Sequence, residues 1–263
     1  MNVLLIGDII GRPGRTALRR GLDRLKRKVD LDFVVANGEN AAAGIGLTVD
    51  IAREILDLGV DVITTGNHIW NKKEISGFLE DEPRLLRPAN YPDGAAGRGA
   101  GIYISTNGIK LGVLNLEGRT FMNNLDCPFT KADQLVAELK KKTPVVLVDF
   151  HAETTSEKMA LGYYLAGRVS VLVGTHTHVQ TADERILSGG TGYISDLGMT
   201  GSFESVIGFR PEQAIERFLT QRPLRLEVAK GNLMLNGLIV EIDTETGEAK
   251  DIERVFEKIE ADD

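Results

Sequence analysis

The sequence contains one cysteine, Cys127, so no disulfide bond can form within the chain. A single thiol is typical of a reducing compartment, and we expect Cys127 to be packed or partly buried. No apolar run approaches the ~18 residues that a membrane span needs. The apolar start lacks a basic segment and carries Asp8, which disfavours a signal peptide. These absences predict a cytoplasmic protein that does not contact a membrane.

The chain also has fewer basic than acidic residues. The formal net charge is −7 and the isoelectric point lies near 5.3, which argues against broad nucleic-acid binding. A small anionic substrate stays possible where the charge is locally positive. No repeat or change of composition divides the 263 residues, so we expect a single domain over residues 1–263. The composition is compatible with a homo-oligomer as well as with a monomer.

Short apolar runs alternate with amphipathic stretches along most of the chain. The runs predict buried strands at 2–7, 32–37, 61–66, 144–150 and 169–174. The stretches between them predict helices at 14–28, 48–58, 72–80, 129–142 and 155–167, with Thr48 and Thr130 as candidate N-caps. This alternation of strand and helix is typical of an α/β fold.

Two further pairs of strands have turn sequences between them. Residues 101–105 and 110–116 are joined through "TNG", and residues 233–243 and 249–256 flank "TETG". Both pairs predict antiparallel hairpins. The sheet, or a second sheet packed against it, should therefore be mixed.

Histidine is scarce, and its four positions are not scattered. Every histidine follows a predicted strand, and acidic or amide side chains follow the same set of strands. Ligands bind at the carboxyl ends of strands in open α/β sheets. The candidate metal ligands at these ends are Asp8, Glu39, Asn40, Asn67, His151, His176 and His178.

This mixture of donors exceeds what one tetrahedral zinc ion takes. Imidazole, carboxylate and amide donors together suit two ions that share a carboxylate. Two ions ~3.5–4 Å apart can clamp a phosphoryl group for in-line attack by hydroxide. The two rings of "HTH" would point the same way if that segment were extended, because residues i and i+2 of a strand share a face.

The order of these motifs resembles that of the calcineurin-like metallophosphoesterases. Asp8 is followed by "GEN" at 38–40, "GNH" at 66–68, His151 and "GTHTH" at 174–178. Ile10 stands where that superfamily usually has a histidine, and Glu39 with Asn40 replaces its usual bridging aspartate. These departures, with "GDIIGRPGR", "DFHAETTSEK" and "LGMTG", resemble the bacterial YmdB-like branch over nearly the whole chain.

The resemblance implies a four-layer α/β/β/α sandwich with two mixed inner sheets, the hairpin strands forming the second sheet. It implies that Asp8, Glu39, Asn40 and His178 hold one metal and that Glu39, Asn67, His151 and His176 hold the other. Glu39 would bridge the two. Iron or manganese is expected at both positions, with zinc or magnesium possible.

His68 is the one histidine outside these ligand sets. An imidazole titrates near neutrality, and a nearby phosphate favours its protonated form. We expect His68 to protonate the leaving alkoxide; its use as an eighth ligand is the alternative.

The substrate residues are predicted from loops near the ligands. Arg12, Arg119 and Thr200 are the candidates. The other basic residues of the first predicted helix are interpreted as a solvated face. Glu153 is interpreted as a first-turn helix acid in preference to a ligand partner. Thr175, Thr177 and Asp183 are candidate acceptors for histidine ring N–H groups.

The main hypothesis is a dinuclear metal-dependent phosphodiesterase that hydrolyses small diesters by in-line attack of a metal-bridging hydroxide. The resemblance implies cyclic nucleotides, such as 2′,3′-cAMP or 3′,5′-cAMP, as substrates. The alternatives are a phosphomonoesterase and a metal-stabilised regulatory module with little turnover. A nucleotide switch built on "GDIIGRPG" is disfavoured, because the fingerprint of a phosphate loop is missing.

Overall fold

The computed structural model describes residues 1–259 as two β-sheets packed face to face with helices outside them. The helices are α1 (Gly11–Lys28), α2 (Val49–Asp57), α3 (Ile75–Asp81), α4 (Pro128–Lys140), α5 (Thr155–Leu165) and α6 (Pro211–Thr220), with a 3₁₀ turn at Ile69–Asn71. The strands are β1 (Asn2–Ile6), β2 (Asp8–Ile9), β3 (Phe33–Asn37), β4 (Val62–Thr64), β5 (Ala100–Ile104), β6 (Lys110–Glu117), β7 (Val146–His151), β8 (Val171–Thr175), β9 (Arg185–Leu187), β10 (Thr191–Ile194), β11 (Met199–Ser202), β12 (Leu233–Ile242) and β13 (Ala249–Ile259).

The first sheet has seven strands in the order β2-β11-β12-β1-β3-β4, with β13 paired to β12. Strands β1, β3 and β4 run parallel, so their carboxyl ends meet at one edge. Strand β12 runs antiparallel to β1, which makes the sheet mixed.

The second sheet has six strands in the order β5-β6-β7-β8-β10-β9. Its central strands β6, β7, β8 and β10 are parallel, and the edge strands β5 and β9 are antiparallel to their neighbours. Both sheets are therefore mixed, as expected.

Alternating residues of the central strands build three apolar layers. Val3 and Leu5 pack with residues of the second sheet, such as Leu147, whereas Leu4 packs towards α1 and α2. On the far side, Val148 packs towards α4 and α5. Because successive strand residues point to opposite faces, each central strand contributes side chains to two apolar layers. The prediction of a four-layer α/β/β/α sandwich is confirmed.

The placement of the hairpins differs from the prediction. The β5–β6 hairpin joins the second sheet, whereas the β12–β13 hairpin joins the first. The two hairpins therefore do not form one inner sheet together. Turn sequences predict pairing between neighbours but carry no information about which sheet a hairpin extends.

Of the two predicted helix caps, one is correct and one is wrong. Oγ1 of Thr48 accepts a hydrogen bond from the backbone N–H of Ile51 at 3.3 Å, so Thr48 caps α2. Thr130 lies inside α4, which begins at Pro128 after Cys127. Proline suits the first helical turn because its missing N–H is not needed there. The partly buried state of Cys127 is confirmed.

Two of the remaining boundaries also differ. The helix predicted at 72–80 forms only from Ile75, as α3, and the 3₁₀ turn at Ile69–Asn71 lies before the predicted range; the sequence pattern did not predict α6. Within residues 1–259, none of the helices has the length and apolar character that crossing a bilayer requires.

Candidate metal centre

The predicted ligands meet where both sheets present the ends of their strands. Asp8 lies in β2, Glu39 and Asn40 follow β3, and Asn67 follows β4. From the second sheet, His151 ends β7, and His176 and His178 follow β8. The site therefore lies between the two sheets at their common edge, where α/β sheets bind ligands.

One group of donors contains Glu39, His151 and His176. Nε2 of His151 lies 3.2 Å from Oε2 of Glu39, 3.0 Å from Oδ1 of Asn67 and 3.0 Å from Nδ1 of His176. The rings of His151 and His176 are nearly perpendicular, at 78°. Four donor atoms from four separate segments thus converge on one small space.

The second group contains Asp8, Glu39 and His178. Oδ1 of Asp8 lies 3.9 Å from Nε2 of His178 and is buried without a hydrogen-bond partner among the described residues. Nδ2 of Asn40 lies 2.8 Å from Oε1 of Glu39 and 3.3 Å from Nε2 of His178. Each oxygen of Glu39 therefore faces a different group of donors.

In His151, His176 and His178, the ring nitrogen that faces away from the other donors, here called the outer nitrogen, contacts an acceptor elsewhere in the protein. Nδ1 of His151 lies 2.9 Å from Oγ1 of Thr175, and Nδ1 of His178 lies 2.9 Å from the carbonyl of Ile207. Nε2 of His176 lies 3.1 Å from a carboxylate oxygen of Glu153. With the ring protons on these outer nitrogens, the inner nitrogens present lone pairs to one another, which a cation can satisfy.

Glu153 and two of the candidate acceptors differ from the sequence interpretation. Glu153 precedes α5 and contacts His176, so its interpretation as a first-turn helix acid is wrong. Thr175 holds His151 as predicted. Thr177 bonds to Asp196, and Asp183 bonds to Thr181 and Ser195, so neither accepts from a histidine ring.

The "HTH" segment is not extended. His176 has φ 98° and His178 has φ 68°, both in the left-handed region that L residues rarely adopt. Between them, the backbone N–H and the hydroxyl of Thr177 donate to Oδ2 of Asp196 at 3.1 and 2.7 Å. The two rings converge as predicted, but through this bend and not through the alternation of a strand.

Asp196 is itself held by a buried cation. Nζ of Lys158 lies 2.7 Å from Oδ2 of Asp196, with 2% and 1% of the two side chains exposed. The backbone N–H of Gly198 donates to Oδ1 of the same carboxylate at 2.8 Å. This buried pair fixes the strained bend beside the ligands.

Gly66 explains how closely the "GNH" loop approaches the ligands. A Cβ atom at this position would lie 2.2 Å from Cδ2 of His151 and 2.4 Å from Oε2 of Glu39. Only glycine leaves room for the carboxylate and the ring together.

Burial and mutual charge set the titration of the ligands. Burial raises the pKa of Asp8 to about 6 against the opposing effect of His178. Burial also opposes ionisation of Glu39, but the charges and hydrogen bonds of His151 and His68 lower its pKa well below the usual range. Burial lowers the pKa of His176 to about 3, with the charge of His151 acting in the same direction. Burial disfavours the charged form of His151, yet the carboxylates of Glu39 and Asp8 raise its pKa to about 9. Such a concentration of perturbed groups is typical of a functional site.

His68 borders the centre without belonging to either group of donors. Its Nδ1 lies 2.9 Å from Oδ1 of Asn40 and 3.4 Å from the nearer oxygen of Glu39. A third of the side chain is exposed, whereas Glu39 is fully buried. This position leaves Nε2 of His68 without a protein partner in the described residues, at the mouth of the site.

The three predicted substrate residues lie in different surroundings. Arg12, in the first turn of α1, and Arg119, on the loop after β6, are exposed. Thr200 is fully buried in β11, and its hydroxyl lies 3.4 Å from the carbonyl of Asn236. The hydroxyl of Thr200 therefore bonds within the sheet, and a contact between Thr200 and substrate stays a prediction. Its place in a short strand was hidden by the glycine-rich sequence around it.

The basic face of α1 is largely occupied by ion pairs. Arg15 lies 2.8 Å from Glu54, and Arg24 and Lys28 contact Glu257 at 3.7 and 3.2 Å. The sequence predicted a solvated face; the structure places these ion pairs on it, with Arg15 partly buried.

Sequence reasoning missed the residues that support the ligands from behind. Asp149 is buried and accepts from Thr175 at 2.8 Å and from Nδ2 of Asn37 at 3.2 Å. Burial raises the pKa of its carboxyl group. A charged residue inside the apolar run "VVLVDF" was the available signal, since a buried carboxylate needs partners.

The comparisons with known proteins agree with this geometry. Residues 4–255 match the family described as "YmdB-like protein". The chain belongs to the YmdB-like family. A Bacillus subtilis (strain 168) relative named "2′,3′-cyclic-nucleotide 2′-phosphodiesterase" is 51% identical over 256 residues, with 97% of each chain covered.

Two solved structures resemble the YmdB-like chain throughout. The crystal structure of a hypothetical protein from Thermus thermophilus is 41% identical with a TM-score of 0.91, covering 98% of this chain and 99% of that one. A crystal structure described as a novel phosphatase from Mycoplasma pneumoniae is 35% identical with a TM-score of 0.91, covering 98% and 93%. The family and fold expected from the motifs are confirmed.

Proposed function

We propose that the protein is a dinuclear metal-dependent phosphodiesterase acting on small phosphate diesters, with cyclic nucleotides as its substrates. The observation that carries the proposal is the carboxylate of Glu39, whose two oxygens face two separate groups of histidine and acidic donors. The name of the Bacillus subtilis relative supports the cyclic-nucleotide assignment.

The donor set fits two metal ions. Asp8, Glu39, Asn40 and His178 would hold one ion, and Glu39, Asn67, His151 and His176 the other. The unpartnered Oδ1 of Asp8 and the facing lone pairs of His151 and His176 both favour a cation at these positions. Mixed nitrogen and oxygen donors suit iron or manganese, with zinc and magnesium as weaker candidates. When bound, the ions would polarise the phosphoryl oxygens and lower the pKa of a bound water.

The contact between Asn40 and His68 supports a role for His68 as a general acid. Nδ1 of His68 lies 2.9 Å from Oδ1 of Asn40, and in the protonated ring the N–H at this position donates to that oxygen. The protonated ring carries its second proton on Nε2, at the mouth of the site. His68 would then transfer the Nε2 proton to the leaving oxygen and become a neutral imidazole.

The proposal is tested with protein purified without added metal. Metal analysis should give about two ions per chain, and the reconstituted protein should hydrolyse 2′,3′-cAMP. Replacing Asn67 or His176 by alanine should lower both occupancy and turnover. Full occupancy and normal turnover in those variants would contradict the assignment of ligands.

A phosphomonoesterase is the second candidate, favoured by the description of the Mycoplasma pneumoniae structure as a phosphatase. Comparing bis-p-nitrophenyl phosphate with p-nitrophenyl phosphate under Mn²⁺ separates the two activities. Preference for the diester supports the main proposal, and preference for the monoester supports the alternative. We further propose that the enzyme works in the cytoplasm, because one cysteine suits a reducing compartment.

A further inference from the structure

A cavity of about 350 Å³ opens directly beside the metal ligand His178. Its wall includes His178 and Ile207, whose carbonyl holds the outer nitrogen of the His178 ring. The cavity and the candidate metal centre are therefore separated by one imidazole ring. Its volume is within the range of pockets that enclose small organic ligands.

The rim of this cavity is apolar and exposed. Phe203, Phe256 and Val179 line it with 51%, 46% and 64% of their surfaces exposed. The two phenyl rings are nearly perpendicular, with centroids 5.8 Å apart. Large apolar side chains left exposed around a concave surface indicate a binding site rather than a packing surface.

One buried polar group in the cavity wall lacks a partner. Asn236 is 1% exposed, and its Oδ1 makes no hydrogen bond within the described residues. Its Nδ2 contacts the sulfur of Met234 at 3.8 Å, and a thioether is a weak acceptor. A buried amide with both ends this poorly satisfied is costly unless a ligand supplies the missing bonds.

We propose that this cavity, which we call the base pocket, binds the nucleobase of the substrate, and that Asn236 recognises adenine. An amide pairs with adenine through two hydrogen bonds, Oδ1 accepting from the 6-amino group and Nδ2 donating to the neighbouring ring nitrogen. The exposed phenyl rings supply apolar contact to the faces of the base. The inference rests on the proposed function, since it assumes that the diester lies at the metal centre.

The first test compares two cyclic diesters that differ in the base. 2′,3′-cAMP carries adenine, and glycerol 1,2-cyclic phosphate has the same five-membered ring without a base. The ratio of their kcat/KM values measures base recognition alone. In the Phe256→Ala protein this ratio should fall about tenfold, as for the loss of one aromatic contact to a base. Phe218→Ala is the matched control, because Phe218 is 73% exposed on α6 and lies outside the base pocket.

The second test concerns the 6-amino group. Wild-type protein should prefer 2′,3′-cAMP over the corresponding cyclic phosphate of purine riboside, which lacks that group, by about tenfold. Asn236→Leu should abolish this preference while Asn236→Gln retains part of it. Equal use of both nucleotides by the wild-type protein would overturn the role of Asn236. An unchanged ratio in Phe256→Ala would overturn the base pocket itself.

Failure of the proposed function gives a different result. If neither cyclic diester is hydrolysed, the phosphodiesterase assignment fails, and binding of adenosine is measured by saturation-transfer NMR. Adenosine contacts that disappear in Phe256→Ala but persist in Phe218→Ala would support the pocket without catalysis. Absence of any adenosine signal with the wild-type protein would overturn it.

Discussion

Oγ1 of Thr175 lies 2.9 Å from Nδ1 of His151 and donates its own proton to Asp149 at 2.8 Å. This relay fixes which nitrogen of His151 carries the proton and leaves Nε2 free to bind metal. Replacing Thr175 by valine keeps the shape and removes the acceptor, so metal affinity should fall about 10–100-fold. Titration of metal-free protein with Mn²⁺ measures this. Thr175→Ser should restore most of the affinity; a valine variant that binds metal normally would contradict the relay.

A methyl group at Gly66 should dismantle the centre. Gly66→Ala places Cβ within 2.4 Å of His151 and Glu39, so one of them must move. We expect loss of metal from the site that contains His151, and a fall in kcat/KM of at least about 100-fold. The matched control is Gly77→Ala, where no atom lies within 4 Å of the new Cβ. Metal analysis of both variants checks the prediction, which fails if the two behave alike.

The buried pair of Lys158 and Asp196 should dominate the stability of the "HTH" bend. Lys158→Met leaves the Asp196 carboxylate buried without its cation, which should cost about 3–5 kcal/mol. Lys250→Met, which removes only exposed ion pairs, should leave the free energy of unfolding nearly unchanged. Denaturant unfolding in the presence of a chelator compares the two without a contribution from metal. Similar decreases in the free energy of unfolding of both variants would show that the buried pair contributes no more to stability than the exposed ion pairs.

Substitution of His68 separates its two possible roles. If His68 is the proton donor, His68→Ala should lower kcat by about 10²–10⁴-fold and leave two metals bound. If it is a ligand, one metal should be lost. Metal content and kcat are therefore measured on the same preparation. A variant with one metal would overturn the assignment, and His68→Asn provides a smaller polar control.

Chelation should destabilise the folded chain. Asp8 and Glu39 are fully buried carboxylates close together, and a cation between them relieves their repulsion. At a metal concentration 100-fold above Kd, binding to the folded state alone adds about 2.7 kcal/mol. Tm should therefore fall on addition of EDTA and recover with Mn²⁺. Asp8→Asn should show a smaller response; an unchanged Tm in the native protein would argue against a metal held by these residues.

Much of this protein could be predicted from patterns along the chain. The alternation of apolar runs with amphipathic stretches predicts the central strands, because strand and helix periods are local properties. The scarcity of histidine made its four positions informative. Asp8, Glu39, Asn67, His151, His176 and His178 all lie together at the edge where strand ends meet.

Other features depend on contacts between segments far apart in sequence. Which sheet each hairpin extends is decided by packing, not by its turn, and the prediction that both would form one sheet is wrong. Thr200 looked like a loop residue, yet pairing of β11 with β12 buries it. Lys158 and Asp196 are ordinary charged residues in sequence and become a buried pair only when α5 packs beside the segment that follows β10.

The amino-acid sequence alone specifies which chemistry is available: seven nitrogen and oxygen donors, each near the end of a strand. How those donors are divided follows from the folded chain, because the two oxygens of Glu39 separate the groups in space. Folding also bends "HTH" through two positive φ angles, and the buried pair of Lys158 and Asp196 holds this bend through Thr177. Local patterns specify residue types and periods; convergence requires the folded chain.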